Sequence, residues 1–234
     1  MSKLVTPLGV YKYKSKLLYP GVKRINRDIA KENLLLLQKL FKEIGIHFLL
    51  TYGTLLGVVR EQDFIEHDED IDLILKDEYR DKFLSSLFKL RKYGFELVRY
   101  DRRDLFSIMR KGEYIDLYFF KRTKLNFWMC SGIVVSDEFM REEESIMFAD
   151  HLFATHSNYI GFLTCVYGSD WMTPIEYNNY EMTFNQRLKF RLKERIKQLL
   201  PDRLYYKFII GPERKLTIKT LGKIVYYLQL KEKI

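Results

Sequence analysis

Residues 50–75 read Leu50-Thr-Tyr-Gly-Thr-Leu-Leu-Gly-Val-Val-Arg60-Glu-Gln-Asp-Phe-Ile-Glu-His-Asp-Glu-Asp70-Ile-Asp-Leu-Ile-Leu75. A Gly-Thr turn (Gly53-Thr54), one arginine (Arg60) and the acids Glu66, Asp68, Glu69, Asp70 and Asp72 lead directly into an apolar run. Within Asp70-Ile71-Asp72-Leu73-Ile74 acid and apolar residues alternate, the period of a β-strand, so Asp70 and Asp72 point to one face. Two such carboxylates repel by about 4 kcal/mol at about 4 Å and an effective dielectric near 20. A fold retains the pair where a cation lies between them. For a short row of hard oxygen ligands that cation is Mg²⁺ or Mn²⁺.

A third acid lies in Glu113-Tyr-Ile-Asp116-Leu-Tyr-Phe-Phe120, an otherwise apolar strand pattern. A lone carboxylate in a buried strand is costly unless paired or bound to metal. If this strand lies beside the first, Asp116 joins Asp70 and Asp72 in a three-carboxylate site. Neutralising any of the three is then expected to relieve repulsion in the metal-free protein. Upstream, Thr54 to Arg60 should be helical, so the backbone N–H groups after Gly53 can face a phosphate. An ordinary turn is the plainer account of the Gly-Thr pair alone. Arg60 lies about two turns along this helix, within reach of phosphate as a fork of donors, or paired with a nearby Glu.

Tyr52-Gly53-Thr54-Leu55-Leu56-Gly57-x-x-Arg60, then His67-Asp68-Glu69-Asp70-Ile71-Asp72, then Ile115-Asp116-Leu117 resembles the LicD family, which includes fukutin and fukutin-related protein. Tyr167-Gly168-Ser169-Asp170-Trp171-Met172-Thr173-Pro174 is similar to a late element of that family, and the resemblance spans roughly residues 31 to 175. It departs at His67, where an aromatic residue commonly precedes the acids, and at His156, where a proline often precedes the late helix. The resemblance implies an α+β nucleotidyltransferase-like mixed sheet flanked by helices. It also implies transfer of a phospho-alcohol (phosphocholine or a polyol phosphate) from a CDP-activated donor to a cell-surface glycan or lipid-linked sugar hydroxyl. Asp70, Asp72 and Asp116 would hold the metal, and Asp116 could also polarise the acceptor. Gly53, Thr54 and Arg60 would meet phosphate, and Trp171 would either close over the site or pack in the core. In the same fold, a nucleotidyltransferase delivering the nucleotide to a small molecule or RNA is the alternative.

With 234 residues, 47% apolar and 15% aromatic, the chain can bury a substantial core and is not disordered. Charge divides it into three. Residues 1–27 carry seven Lys/Arg and no acid, a basic N-terminal arm. Residues 185–234 carry fourteen against four, a basic, mainly helical appendage. The catalytic body, 28–184, carries a net charge of −8. Basic ends suit an anionic partner such as membrane headgroups or a phosphorylated glycan, or simply a solvated surface. No nucleic-acid-binding motif is present, so a basic nucleic-acid binder is the weaker alternative. The polar start lacks a signal-peptide core, and the longest apolar stretch is too short to span a bilayer, which suggests a cytoplasmic protein with peripheral contact at the inner membrane face. Cys130 and Cys165 are far apart, without metal-ligand spacing.

Helices are expected over Arg27–Glu43, stopped by Gly45, and from Asp77 as cap to Tyr93. A third should run from a Ser157 cap towards Gly168, and a fourth over Asn185–Leu200. Strands are expected at His47–Leu50, Phe95–Tyr100, Leu105–Arg110 and Tyr114–Phe120, with Lys111-Gly112-Glu113 as a tight connection. Phe127–Val135 and Ile146–Phe153 are weaker strands around Glu142-Glu143-Glu144, a run read as a solvated turn or helix face. Asp68, Asp70 and Asp72 share the spacing of a calcium loop. Leu73 and Tyr79 stand where that loop needs glycine and glutamate, which excludes it.

Overall fold

The computed structural model describes residues 1–18, 23–123, 126–130, 132–174, 182–213, 215 and 217. The sequence segment around Ile224–Leu228 lies outside them.

The chain opens with a hairpin, β1 (Ser2–Thr6) and β2 (Gly9–Tyr13). Tyr11 is fully buried, edge-on to Phe88 and under the Arg91 guanidinium at 4.0 Å. The basic start is thus packed onto the body, held by an alternation that its charge count hides. Helix α1 (Arg27–Ile44) follows, with Asn26 accepting the Ile29 amide at its start and Gly45 ending it at φ 65. Leu34, Leu37 and Phe41 form its buried stripe, as their spacing requires.

Next come β3 (Leu49–Leu50), α2 (Tyr52–Glu61) and β4 (Asp70–Lys76). A 3-10 turn, Asp77–Tyr79, leads into α3 (Arg80–Lys92). Asp77 does not cap a backbone amide as expected; it accepts from Arg80 Nε at 2.5 Å inside that turn. Strands β5 (Glu96–Asp101), β6 (Leu105–Arg110) and β7 (Glu113–Arg122) form an antiparallel run. Lys111 (φ 51) and Gly112 (φ 87) make the two-residue turn between β6 and β7.

The two weaker strand candidates are each a hairpin. Phe127–Cys130 (β8) pairs with Ile133–Ser136 (β9), and Glu143–Phe148 (β10) with His151–His156 (β11). The second turns on Ala149 and Asp150, both at positive φ. Between the hairpins lies a single turn, α4 (Glu138–Arg141). Glu143 and Glu144 are therefore strand residues rather than a turn or helix face. Glu143 accepts from His47 and Lys76, and Glu144 from the Asn158 amide. Helix α5 (Tyr159–Tyr167) is capped by Asn158, which accepts the Gly161 amide, while Ser157 donates to the Glu138 carbonyl. Helix α6 (Phe184–Leu199) begins in a Thr183–Gln186 capping box, and α7 (Asp202–Tyr205) follows Pro201.

The main sheet has the order β10-β11-β3-β4-β7-β6-β5, with β8 and β9 continuing from β7. Pairing is mixed: β4 runs parallel to β7 and antiparallel to β3. One face carries Ile71, Leu73 and Leu75 of β4 beside Ile115, Leu117 and Phe119 of β7. There Phe83 of α3 packs against Phe106, Phe119 and Phe41, closing an aromatic core beneath α1 and α3. The other face, by the two-residue period, carries the acids. Among the described residues no helix is long and apolar enough to cross a membrane.

Candidate active site

The β4–β7 register sets Asp72 directly against Asp116. Ser107 of β6 faces Asp116, and Arg99 of β5 faces Ser107, so four polar residues cross the sheet in one row. Asp70 lies two residues before Asp72, on the same face. Oxygens of Asp70, Asp72 and Asp116 all lie within 4.8 Å of one another.

The start of α2 holds Asp72 in place. The Asp72 amide donates to Thr54 Oγ1 at 2.9 Å, and the Asp72 carboxylate accepts the Gly53 amide at 3.2 Å. Glycine at 53 leaves the carboxylates undisplaced: a Cβ there would fall 2.5 Å from Asp68 Oδ2 and 3.4 Å from Asp72 Oδ2. Thr54 is fully buried with its hydroxyl committed to β4. It positions an acid and does not line the cavity, contrary to its expected place beside phosphate. The Gly53 amide likewise serves Asp72.

Asp116 is held from the other side. Ser107 Oγ donates to Oδ1 at 2.5 Å, the Arg99 guanidinium donates to Oδ2, and Arg99 Nε donates to Ser107 Oγ at 2.8 Å. Burial by itself would lower the Arg99 pKa, but the Asp116 charge and hydrogen bond raise it overall. Asp116 therefore differs from its two neighbours in having a full counter-charge.

Burial, then the neighbouring acids, push the Asp70 and Asp72 carboxyls well above their ordinary range. Burial also raises Asp68 to about 6, and its Oδ2 is buried without a hydrogen-bond partner. The same burial, followed by the Asp72 charge, lifts the Tyr118 hydroxyl. Four acids and one guanidinium leave an excess of negative charge in a desolvated place. An all-oxygen donor set of this kind fits a hard divalent cation, and the Asp70–Asp72–Asp116 cluster can coordinate one.

The cluster borders a cavity of about 550 Å³, whose lining includes Gly53, Arg60, Asp68, Asp70, Asp116 and Trp171. Arg60 Nη1 donates to the Trp171 carbonyl at 3.2 Å and Nη2 to Glu61 Oε1 at 2.8 Å, while its buried Nε has no partner. Arg60 thus pairs with a glutamate and also borders the cavity. Trp171 is buried, with its ring nitrogen donating to Thr164 Oγ1 at 3.1 Å, so it is at once core packing and cavity wall. Glu69 and His67 also border the cavity. Glu69 is therefore not turned to the opposite face of the sheet, because β4 begins only at Asp70. His156 is structural, bonded to Thr51 and the Phe139 carbonyl and stacked on Phe162 at 3.7 Å.

Asp68, Ser107 and Arg99 were not singled out as site residues from the sequence. Ser107 carried a signal, as the one small polar residue in an apolar strand joined to Asp116 by a two-residue turn.

A family model described as LicD/FKTN/FKRP, nucleotidyltransferase domain, matches residues 45–165. It takes in the acids, the Gly-Thr turn, Ser107 and Arg99, and ends before the Tyr167–Pro174 element. No match was found among curated proteins. Among solved structures, the lincosamide antibiotic adenylyltransferase LnuA, bound to lincomycin, is 14% identical with a TM-score of 0.43, over 69% of this chain and 94% of that one. The antibiotic-resistance factor ANT(2'')-Ia is 11% identical with a TM-score of 0.44, over 87% and 98%. A putative nucleotidyltransferase from Thermotoga maritima is 14% identical with a TM-score of 0.35, over 70% and 94%. The family match and the carboxylate cluster support nucleotidyltransferase-like catalysis. With that match extending over more than half of its length, on a mixed sheet flanked by helices, the chain belongs to the LicD/FKTN/FKRP family through its nucleotidyltransferase domain.

Proposed function

We propose that this protein is a divalent-metal-dependent transferase that moves a phospho-alcohol from a CDP-activated donor to a glycan or lipid-linked sugar hydroxyl. The observation that carries this reading is the in-register pairing of Asp72 with Asp116, with Asp70 on the same face, beside a cavity. In this reading residues 28–184 carry the catalytic residues, the basic start 1–27 packs onto them as part of the body, and the basic segment 185–234 serves location rather than chemistry.

Asp70, Asp72 and Asp116 would hold Mg²⁺ or Mn²⁺, which supplies charge stabilisation and alignment for an in-line displacement at phosphorus. The rest falls to the chain itself. Gly53 and Thr54 fix Asp72, and Ser107 and Arg99 fix Asp116, so the carboxylates need little rearrangement when charge develops. Arg60 offers the donor phosphates a guanidinium already oriented by Trp171 and Glu61. Asp116 would also polarise the acceptor hydroxyl by accepting its hydrogen bond. Trp171 and Tyr167 wall the cavity.

A second reading, delivery of the nucleotide itself, has specific support in the matched domain's designation as a nucleotidyltransferase domain. The two differ in which phosphorus is attacked. Thermal-shift screening with Mg²⁺ against CDP-choline, CDP-ribitol, CDP-glycerol, CTP and ATP selects the donor. Product analysis then separates the readings. Release of CMP with an acceptor that carries the phospho-alcohol through a new phosphodiester supports phospho-alcohol transfer. Pyrophosphate with a nucleotidylated acceptor refutes it in favour of the second reading.

A further inference from the structure

Helix α6 has two opposed faces. Phe190, Glu194 and Lys197, spaced i, i+4, i+7, are half-buried. Lys197 is tied to Glu194 at 2.6 Å, and Arg102, from the β5–β6 turn, donates to the carbonyls of Lys197 and Leu200 and to Asp202. The Arg102 contacts fasten the C-terminal end of the helix to the body, and the Lys197–Glu194 pair lies within the helix on that same side. At 100° per residue, Phe184, Leu188, Leu192, Ile196 and Leu199 fall within an arc of roughly 120° on the other side. They are 78, 55, 60, 52 and 82% exposed. A globular helix turns such a stripe inward. Here it faces away from the contacts that hold the helix.

The charges are arranged around this stripe. Lys189 and Lys193 run along one edge, Arg187 and Arg191 along the other, and Arg195 lies within it; all five are exposed. The one acid of the helix, Glu194, is on the fastened side. Past Pro201 the pattern continues with exposed Tyr206 and Phe208 around Lys207.

We propose that α6 is an interfacial helix that lies along an anionic lipid surface, with its Phe184–Leu199 stripe among the acyl chains and its flanking cations at the headgroup phosphates. The charge pattern selects this occupant. A second copy of the helix laid on the stripe would bring cations against cations along both edges. A nucleic acid would use the cations but leave five large apolar side chains in water. A planar apolar layer bordered by phosphates complements both features. The inference does not depend on which group the enzyme transfers, and its test can fail without touching the proposed chemistry.

The test uses the full chain with vesicles of phosphatidylcholine alone and of phosphatidylcholine mixed with phosphatidylglycerol. Wild type is expected to co-sediment with the mixed vesicles and to be released progressively by salt. Leu188→Ser/Leu192→Ser/Ile196→Ser should abolish co-sedimentation at every salt concentration. Lys189→Gln/Arg191→Gln/Lys193→Gln should weaken binding to the mixed vesicles on the order of a hundredfold, at about fivefold per cation. All six positions are exposed, so an unchanged melting temperature and an unchanged Mn²⁺-induced thermal shift confirm that each variant is folded. Wild type remaining in the supernatant would overturn the proposal, as would undiminished binding by the apolar variant. Two other results overturn it by naming a different occupant. One is a dimer in sedimentation velocity that the apolar substitutions dissolve, without vesicle binding. The other is salt-sensitive retention on RNA, equal in wild type and the apolar variant, again without vesicle binding.

Discussion

Asp70→Asn separates the metal site from the fold. Oxygens of the three acids lie within 4.8 Å of one another, where two full charges repel by about 3 kcal/mol at an effective dielectric near 20. After burial, the Asp72, Asp116 and Asp68 charges act on Asp70, opposed by Arg99. Part of this repulsion is already relieved by the raised pKa, so the metal-free variant should lie between no change and a gain of about 3 kcal/mol. Asp116→Asn should behave oppositely. It leaves the half-buried Arg99 guanidinium without its carboxylate, at a cost of up to about 3 kcal/mol. The expectation that every neutralisation relieves the cluster is therefore kept for Asp70 and replaced for Asp116 by a predicted loss. In wild type, metal at a hundred times its Kd adds about 2.7 kcal/mol. For a chain of this size that raises Tm by about 5–10 °C, and either substitution should remove the shift. Differential scanning fluorimetry in chelator and in Mn²⁺, with and without a CDP donor, reads all of these quantities. The reasoning is refuted if metal-free Asp70→Asn melts as low as Asp116→Asn, or if Asp70→Asn retains the wild-type metal shift.

Other substitutions test the surroundings. Gly53→Ala drives a Cβ into the movable Asp68 carboxylate, so it should weaken the Mn²⁺ shift at little cost in stability. Gly57→Ala meets backbone, the Asp63 carbonyl at 2.5 Å and the Ile65 nitrogen at 2.8 Å, and should cost about 1–3 kcal/mol in urea melts; the reverse order would reject this distinction. Burial holds His156 neutral, its pKa lowered to about 4. Its contribution is complete above about pH 6.5 and is lost as pH falls towards 4, a span of about 3 kcal/mol. His156→Gln should flatten that limb of a stability–pH curve, and unchanged slopes would assign it to other groups. Arg60→Lys keeps charge but loses the fork and should raise the donor KM about tenfold; intact turnover in both Arg60→Lys and Arg60→Ala would leave Arg60 as a pin for the Trp171 turn.

Legibility in the sequence followed the strength of local chemistry. Alternation marked β4, the apolar run marked β7, and Gly45 ended α1 because a residue at φ 65 favours glycine. The β10–β11 hairpin was hidden because Ala149 and Asp150 take the left-handed conformation without a glycine or asparagine to signal it. The cap of α5 was misplaced by one residue because Ser157 and Asn158 are both competent, and only the tertiary contact with Glu138 draws Ser157 away. The opening hairpin was legible in principle, since Thr6-Pro7-Leu8-Gly9 is turn chemistry between alternating runs, but the charge of the segment invited a different reading.

At the site, the acids were legible and their counter-charge was not. A two-residue turn at Lys111-Gly112 pairs positions symmetric about it, so Ser107 falls opposite Asp116 by counting alone. The next step across the sheet cannot be counted, because the β5–β6 connection is longer and the register shifts between Leu97 and Arg99. Arg99 thus reaches Asp116 through an irregularity that no local pattern announces. That placement decides how the cluster is balanced. One guanidinium offsets one carboxylate and leaves Asp70, at the cavity wall, and Asp72 beside it without an equivalent counter-charge. Ionised, that pair carries the two negative charges that a single divalent cation neutralises, and the adjacent Asp68 adds to the excess that favours the cation.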